Sequence, residues 1–370
     1  MTAQEVIHSF IEYLHIPITN RKDLKQDQTA FQEQALEQLL RFAVENPTHL
    51  DEILANIAQV LPLELDVYKK GLATLICGSL IEFGGNPKII VQAIVEQLEK
   101  HLTATEAFLA LIEKEGLDSE SLSSNDLDLL FNRNQDAVKA SITASFVVLA
   151  TMTSICRVKE ARFELRQNGP LIQQVIRLED DVDNLYYLRQ VIHSVDDLEM
   201  IVLHPESQTG LKIKADMVQN NFHFFTLLQD QFVEQFRLHP SFTSFIRNEA
   251  AIQIAKGEEM PEQNQQLQDH ALFGFYDYGA LNDEGQLLES VPVGNWLFGE
   301  GTLHHVPKYN GVPVVLLGEN MLGGRSWDVS FCIPVHEALK PSIEIVEVFS
   351  PEQVHSQIQQ MIADIRSMNA

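Results

Sequence analysis

Arg325-Ser326-Trp327-Asp328 places a planar guanidinium fork, a rigid indole face and a carboxylate within four residues. These side-chain types recognise carboxylates and apolar surfaces. Trp296, Glu300 and the pair His304-His305 precede this step, and His336 follows it. Both tryptophans of the chain fall in this stretch, among many glycines. An imidazole beside a carboxylate can bind a metal or move a proton near pH 7. The chemistry to look for is therefore His304 or His305 with Glu300, Asp328 or His336. Adjacent histidines on a strand point to opposite faces, so both are not expected to serve one ion. Tyr276, Tyr278 and Tyr309 add aromatic rings with polar tips.

Complete motifs are missing from the same stretch. Gly318 to Ser326 resembles a phosphate-binding loop, but Gly324 stands where that loop needs lysine. The residues after it read as a strand, not as the helix that would cap a phosphate. The glycine-rich segment is instead expected to be a long hairpin. His336-Glu337 begins a zinc-protease pattern, yet Lys340 occupies the second histidine position and Pro341 ends any helix. Cys332 lies four residues before His336 in an apolar strand, where a thiol is ordinarily inert packing. No catalytic residue, metal ligand or cofactor is assigned. Trp296, Glu300, His304, His305, Arg325, Trp327, Asp328 and His336 are taken as a candidate binding surface.

Something must position these residues, and the apolar spacing shows what. Val6, Phe10, Ile11 and Leu14 predict a helix over 3–14. Further helices are expected over 30–44, 50–61, 65–83, 87–102 and 105–114, then over 134–165 as one helix or a pair, 171–178 and 184–191. Asn46-Pro47 and Asn86-Pro87 fit an N-cap followed by proline at the first helical position. Their recurrence at about 40 residues suggests either paired helical repeats or an irregular bundle. At Asp197 the character changes. Residues 198–203 and 210–217 read as a hairpin of strands. Phe222, Phe225, Leu228, Phe232 and Phe236 form one stripe of a helix over 221–236. Strands are expected over 272–276, 312–317, 329–333 and 343–348, and a closing helix over 351–368. Polar linkers are expected over 19–28 and 258–268. The fold class is α+β: an all-helical domain over 1–180, then a mixed domain over 195–370 with glycine-rich turns.

Composition narrows the partners. Lys and Arg number 26 against 52 Asp and Glu, a formal net charge of −26. Phosphate-rich partners are repelled on average, and no Lys/Arg cluster offers a basic face, so neither nucleic acid nor an anionic membrane is expected. Three widely spaced cysteines fit a reducing compartment. The N-terminus lacks a basic segment followed by an apolar run, so no signal peptide is expected. The most apolar run, 142–155, is shorter than the roughly 20 residues of a membrane span. A cytoplasmic protein is the expectation.

Two blocks, Asn220–Phe232 (NNFHFFTLLQDQF) and Gly311–Asp328 (GVPVVLLG followed by RSWD), resemble blocks in a group of uncharacterised bacterial proteins. The resemblance covers the C-terminal half. It implies a strand domain recurrent in bacteria and brings no activity with it. The expected function is an interaction, accessory or ligand-binding protein whose partner is another protein or a small molecule. The alternative is an enzyme of unrecognised class, metal-assisted or acid/base, using the histidine and carboxylate cluster.

Overall fold

The computed structural model describes residues 2–25, 29, 32–260, 267–321 and 323–369. It divides into two compact units, Met1–Ile192 and His193–Ala370. Parts of both expected linkers (26–28 and 261–266), the start of the second expected helix (30–31) and Leu322 of the glycine-rich loop lie outside the described residues.

The first unit is helical. Its elements are α1 (Ala3–Leu14), α2 (Gln34–Glu45), α3 (Leu50–Val60), α4 (Val67–Glu82), α5 (Val91–Glu115), α6 (Ser124–Arg133), α7 (Gln135–Ile155), α8 (Lys159–Gln167), α9 (Gly169–Arg177) and α10 (Leu185–His193). Thr2 and Glu5 form a capping box on α1, which satisfies N–H groups that a helix start leaves open. α4 lies close against α7 because the contact residues are small. A Cβ on Gly71 would stand 2.4 Å from Thr143 Cβ, and one on Gly78 3.0 Å from Ala150 Cα. The same pair is tied by a buried ion pair. Lys139 Nζ of α7 lies 2.8 Å from Asp66, which also caps α4 by accepting the Tyr68 N–H. α7 is long and apolar enough to cross a membrane by length and composition, but 67% of its apolar window is buried in the unit.

Two differences from the sequence reading have local causes. The helices expected over 87–102 and 105–114 are one helix, α5. Thr105 sits in its interior because its hydroxyl donates to the His101 carbonyl. The Asn-Pro steps open 3-10 turns, Pro47–His49 and Pro87–Ile89, rather than helices. The helices that follow, α3 and α5, have 11 and 25 residues, so the two steps share turn chemistry more than a repeated unit.

The second unit is α+β. Its elements are β1 (Leu198–His204), β2 (Thr209–Asp216), α11 (Asn221–Gln235), α12 (Glu249–Ala255), β3 (Gln268–His270), β4 (Gly274–Tyr276), β5 (Lys308–Tyr309), β6 (Val312–Gly318), β7 (Ser326–Asp328), β8 (Ser342–Phe349) and α13 (Pro351–Asn369). The main sheet runs β4-β6-β1-β2-β8, with β5 also on β6. β1 and β6 are parallel and the other neighbours antiparallel. Met200, Val202, Val315 and Leu317 face a core shared with α11, while Leu203, Val314 and Leu316 face one shared with α13. Both faces are covered, which is why VPVVLL is apolar without alternation.

β7 pairs with β3, not with β6. The glycine-rich segment before it is therefore a crossing between sheets rather than a hairpin. Residues expected as a strand over 329–333 form a 3-10 turn, Val329–Cys332, because Asp328 accepts the Ser330 N–H at 2.8 Å and bends the chain.

Histidine burial sets a pH dependence. His204 sits edge-on to Phe242 and Phe273 and accepts the Ser207 N–H on Nδ1. Burial lowers its pKa from 6.5 to about 4, as it does for His101 and His223. The unfolded chain therefore binds protons that the folded chain refuses, and stability falls as pH drops from about 6.5 toward 4. Buried Asp230, Asp269 and Asp277 are raised by desolvation and act in the opposite sense. A single-site comparison separates the two. Denaturant unfolding at pH 7.5 and pH 5 is expected to show His204→Phe keeping about 2 kcal/mol that the parent chain loses. Equal losses in both would refute the assignment.

Candidate functional site

Trp327 is the fixed point of the candidate surface. It lies on β7 opposite Asp269 of β3 and is buried. Its Nε1–H donates to Thr226 Oγ1 at 3.1 Å, and the Thr226 hydroxyl donates to Asp269 Oδ2 at 2.7 Å. Gln229, one turn along α11, donates to the same Oδ2 and to the His270 carbonyl, and accepts the Leu272 N–H. A buried carboxylate is tolerated because each of these groups finds a partner. Desolvation nevertheless raises the Asp269 pKa, against the Thr226 hydroxyl, which lowers it.

The start of α11 carries the other side of the surface. The N–H groups of Asn221 and Phe222 donate to the carbonyls of Gly301 and Gly299. Asn220 caps the helix by accepting the His223 N–H, and its amide donates to the Phe331 carbonyl. The Asn221 amide donates to the Phe298 carbonyl at 2.7 Å. A Cβ on Gly299 would stand 2.0 Å from the Phe222 ring, so this approach needs glycine. Phe298 and Phe331 are thereby held in place, each about half exposed.

Between these anchors stands Arg325. It is half-buried, and its guanidinium lies 5.8 Å from the Phe225 ring centre. The guanidinium makes one hydrogen bond among the described residues, a long one from Nη1 to the Leu297 carbonyl at 3.5 Å. No carboxylate comes within ion-pair distance of it there. Burial lowers its pKa, while Glu300 and Tyr276 raise it by charge. It remains a cation at any working pH.

The other predicted residues scatter. Trp296 is half-buried, donates Nε1–H to the Val291 carbonyl, and packs edge-on to Tyr276 and stacked on Phe298. Glu300 is exposed on the loop beside Arg325. His304 and His305 lie in an exposed 3-10 turn, Leu303–His305, and not on a strand. His304 Nε2 is 3.1 Å from the His193 carbonyl. Asp328 caps its own turn and receives Gln268 rather than Arg325. His336 accepts the Ala338 N–H in another turn. Among the described residues, no hydrogen bond or ion pair joins His304, His305 or His336 to Glu300 or Asp328. Nor do three His, Cys, Asp or Glu side chains gather there as a metal site. Burial pushes the Cys332 thiol up to about 12, leaving almost no thiolate near pH 7.

Sequence reasoning missed Asn220, Asn221, Thr226 and Asp269. The Asn pair ahead of an apolar stripe is an N-cap signal. Asp269 gave none, because its partners lie far away in the chain.

The relay has a direct test. Thr226→Val keeps the shape, strands the indole N–H and takes one of its donors from the Asp269 carboxylate, which keeps Gln229 and the His270 N–H. It is expected to cost about 1–3 kcal/mol of unfolding free energy and to change the near-ultraviolet signal of tryptophan, whereas Thr226→Ser preserves both. A Val variant as stable as the parent would show that the relay carries no stability.

No family model, curated protein or solved structure matches this chain.

Proposed function

We propose that this chain is a cytoplasmic interaction or ligand-binding protein of bacterial type, and that it recognises another protein or a small molecule through the surface around Arg325. One observation carries the reading. A half-buried guanidinium stands without a carboxylate partner among the described residues, in a chain with twice as many acidic as basic side chains. Desolvating a cation without pairing it costs free energy, and a partner's acceptor would offset that cost. Exposed Phe298 and Phe331 nearby supply the kind of apolar contact that gives interfaces much of their affinity. Trp296 and Trp327 stiffen the surface from below.

The enzyme alternative needed histidine and carboxylate to meet, and in this geometry Asp328 is occupied by its turn and His305 faces solvent. This weighs toward recognition.

Native mass spectrometry of protein purified from its own cells tests the reading. A co-purifying ligand or partner is expected on the parent chain and on His305→Ala, and is expected to be lost from both Arg325→Gln and Phe331→Ser. A bound species retained equally by all four proteins would overturn the placement at this surface.

A further inference from the structure

Resting on that reading, we propose that the Arg325 site takes a monoanionic carboxylate carried on an aromatic or similarly flat apolar body. The argument begins with the cation. A guanidinium has five N–H donors in a rigid fork, and here, among the described residues, a single long bond to the Leu297 carbonyl engages one of them. The group that matches the remaining donors in one plane is a carboxylate.

The apolar half follows from what surrounds the fork. Phe331 stacks on Phe222 at 5.2 Å, Phe222 tilts on Trp327 at 5.6 Å, and Trp327 meets Phe225 at 6.2 Å. Phe225 in turn lies beneath Arg325. An unbroken run of rings thus leads from an exposed phenylalanine to the cation. Phe222, Trp327 and Phe225 are buried and serve as support, so the ring that a ligand with its acid group at Arg325 would meet is exposed Phe298, next to the Leu297 carbonyl that the fork touches.

Glu300 selects the charge. It acts on Arg325 electrostatically but stands outside ion-pair distance. A doubly charged phosphate would meet one cation and one nearby carboxylate, a poor balance. A single negative charge suits the pair better, with Glu300 as a built-in competitor for the fork. Arg325 and Asn221 also hold successive carbonyls of one loop, Leu297 and Phe298, so the loop bearing Glu300 is fixed beside the fork.

The chemistry has two possible sources, a free aromatic acid or the C-terminal carboxylate of a peptide. Titrations of the full chain with 3-phenylpropionate, N-acetyl-Gly-Phe and their two amides separate them, read by calorimetry and by tryptophan fluorescence, since Trp327 packs on the Phe225 ring beneath Arg325 and Trp296 stacks on Phe298. The expected result is saturable binding of at least one acid, with its amide at least about tenfold weaker. Binding of 3-phenylpropionate alone assigns a small acid. Preferential binding of the acylated dipeptide assigns a peptide terminus. Arg325→Gln is expected to erase the acid-over-amide preference, and Arg325→Lys to restore part of it, the charge remaining without the fork. Glu300→Gln is expected to tighten acid binding several-fold and leave the amides unchanged. Matching near-ultraviolet spectra for the variants exclude misfolding as the cause. Acid and amide binding alike, no saturation by either acid up to about 10 mM, or an acid preference that survives Arg325→Gln would overturn the proposal. A co-purifying species that depends on Arg325 while the acids fail would overturn the ligand class and leave the recognition reading standing. An acid that binds through Arg325 while co-purification ignores it would do the reverse.

Discussion

The hydrogen-bonded line Trp327–Thr226–Asp269 is the constraint on which the candidate surface depends. Its three members come from β7, α11 and β3, elements with no covalent reason to meet. Each group is buried, so each must find its partner or leave a polar atom desolvated. The threonine hydroxyl has one proton. It gives that proton to the carboxylate and accepts the indole N–H, which fixes the direction of the whole line. With Trp327 held, β7 has one register on β3. Arg325, two residues upstream, then emerges over Phe225 rather than elsewhere.

The opposite wall of the surface depends on backbone rather than side chain. A helix start leaves N–H groups without partners, and α11 gives two of them to the carbonyls of Gly299 and Gly301. A larger residue at Gly299 would collide with Phe222, so glycine there is a packing requirement. Asn220 and Asn221 clasp the carbonyls of Phe331 and Phe298 from the same turn. One helix end therefore organises two exposed rings, and the other face of the same helix fills the core. Phe225 stacks on Phe275 at 3.8 Å, which ties α11 to the sheet that carries everything else.

Much of this was legible in the sequence wherever the signal was local. The stripe Phe222, Phe225, Leu228 and Phe232 is core, as its spacing implies. The change from helices to strands near Asp197 is a change of period, and VPVVLL is a strand covered on both faces. Two errors also had local remedies. Thr302 accepts the His304 N–H and Asp328 the Ser330 N–H. A short polar side chain two residues before its donor is the chemistry of a turn, and reading it would have kept His304 and Ser330 off strands. Asp269 is a different case. The residues before it are polar and Gln-rich, and the apolar run that marks core begins only at Ala271, two residues on. Its burial is decided by Thr226 and Gln229, 43 and 40 residues away. Pairing of that range is a property of the fold, which periodicity does not encode.

The same distinction between local and distant bears on charge. A net charge of −26 argues against large polyanions, whose many phosphates sample the whole field. It does not decide the fate of one carboxylate. At physiological ionic strength charges beyond about 8 Å are largely screened, so a small anion at Arg325 senses its immediate surroundings. Those are a half-desolvated guanidinium, the Leu297 carbonyl, aromatic faces and Glu300. Low local polarity strengthens the attraction to the cation, and Glu300 is the carboxylate whose charge acts on it. On the proposed reading, the acidity of the chain discourages the wrong class of partner at long range. The choice among small acids falls to one fork and one opposing carboxylate.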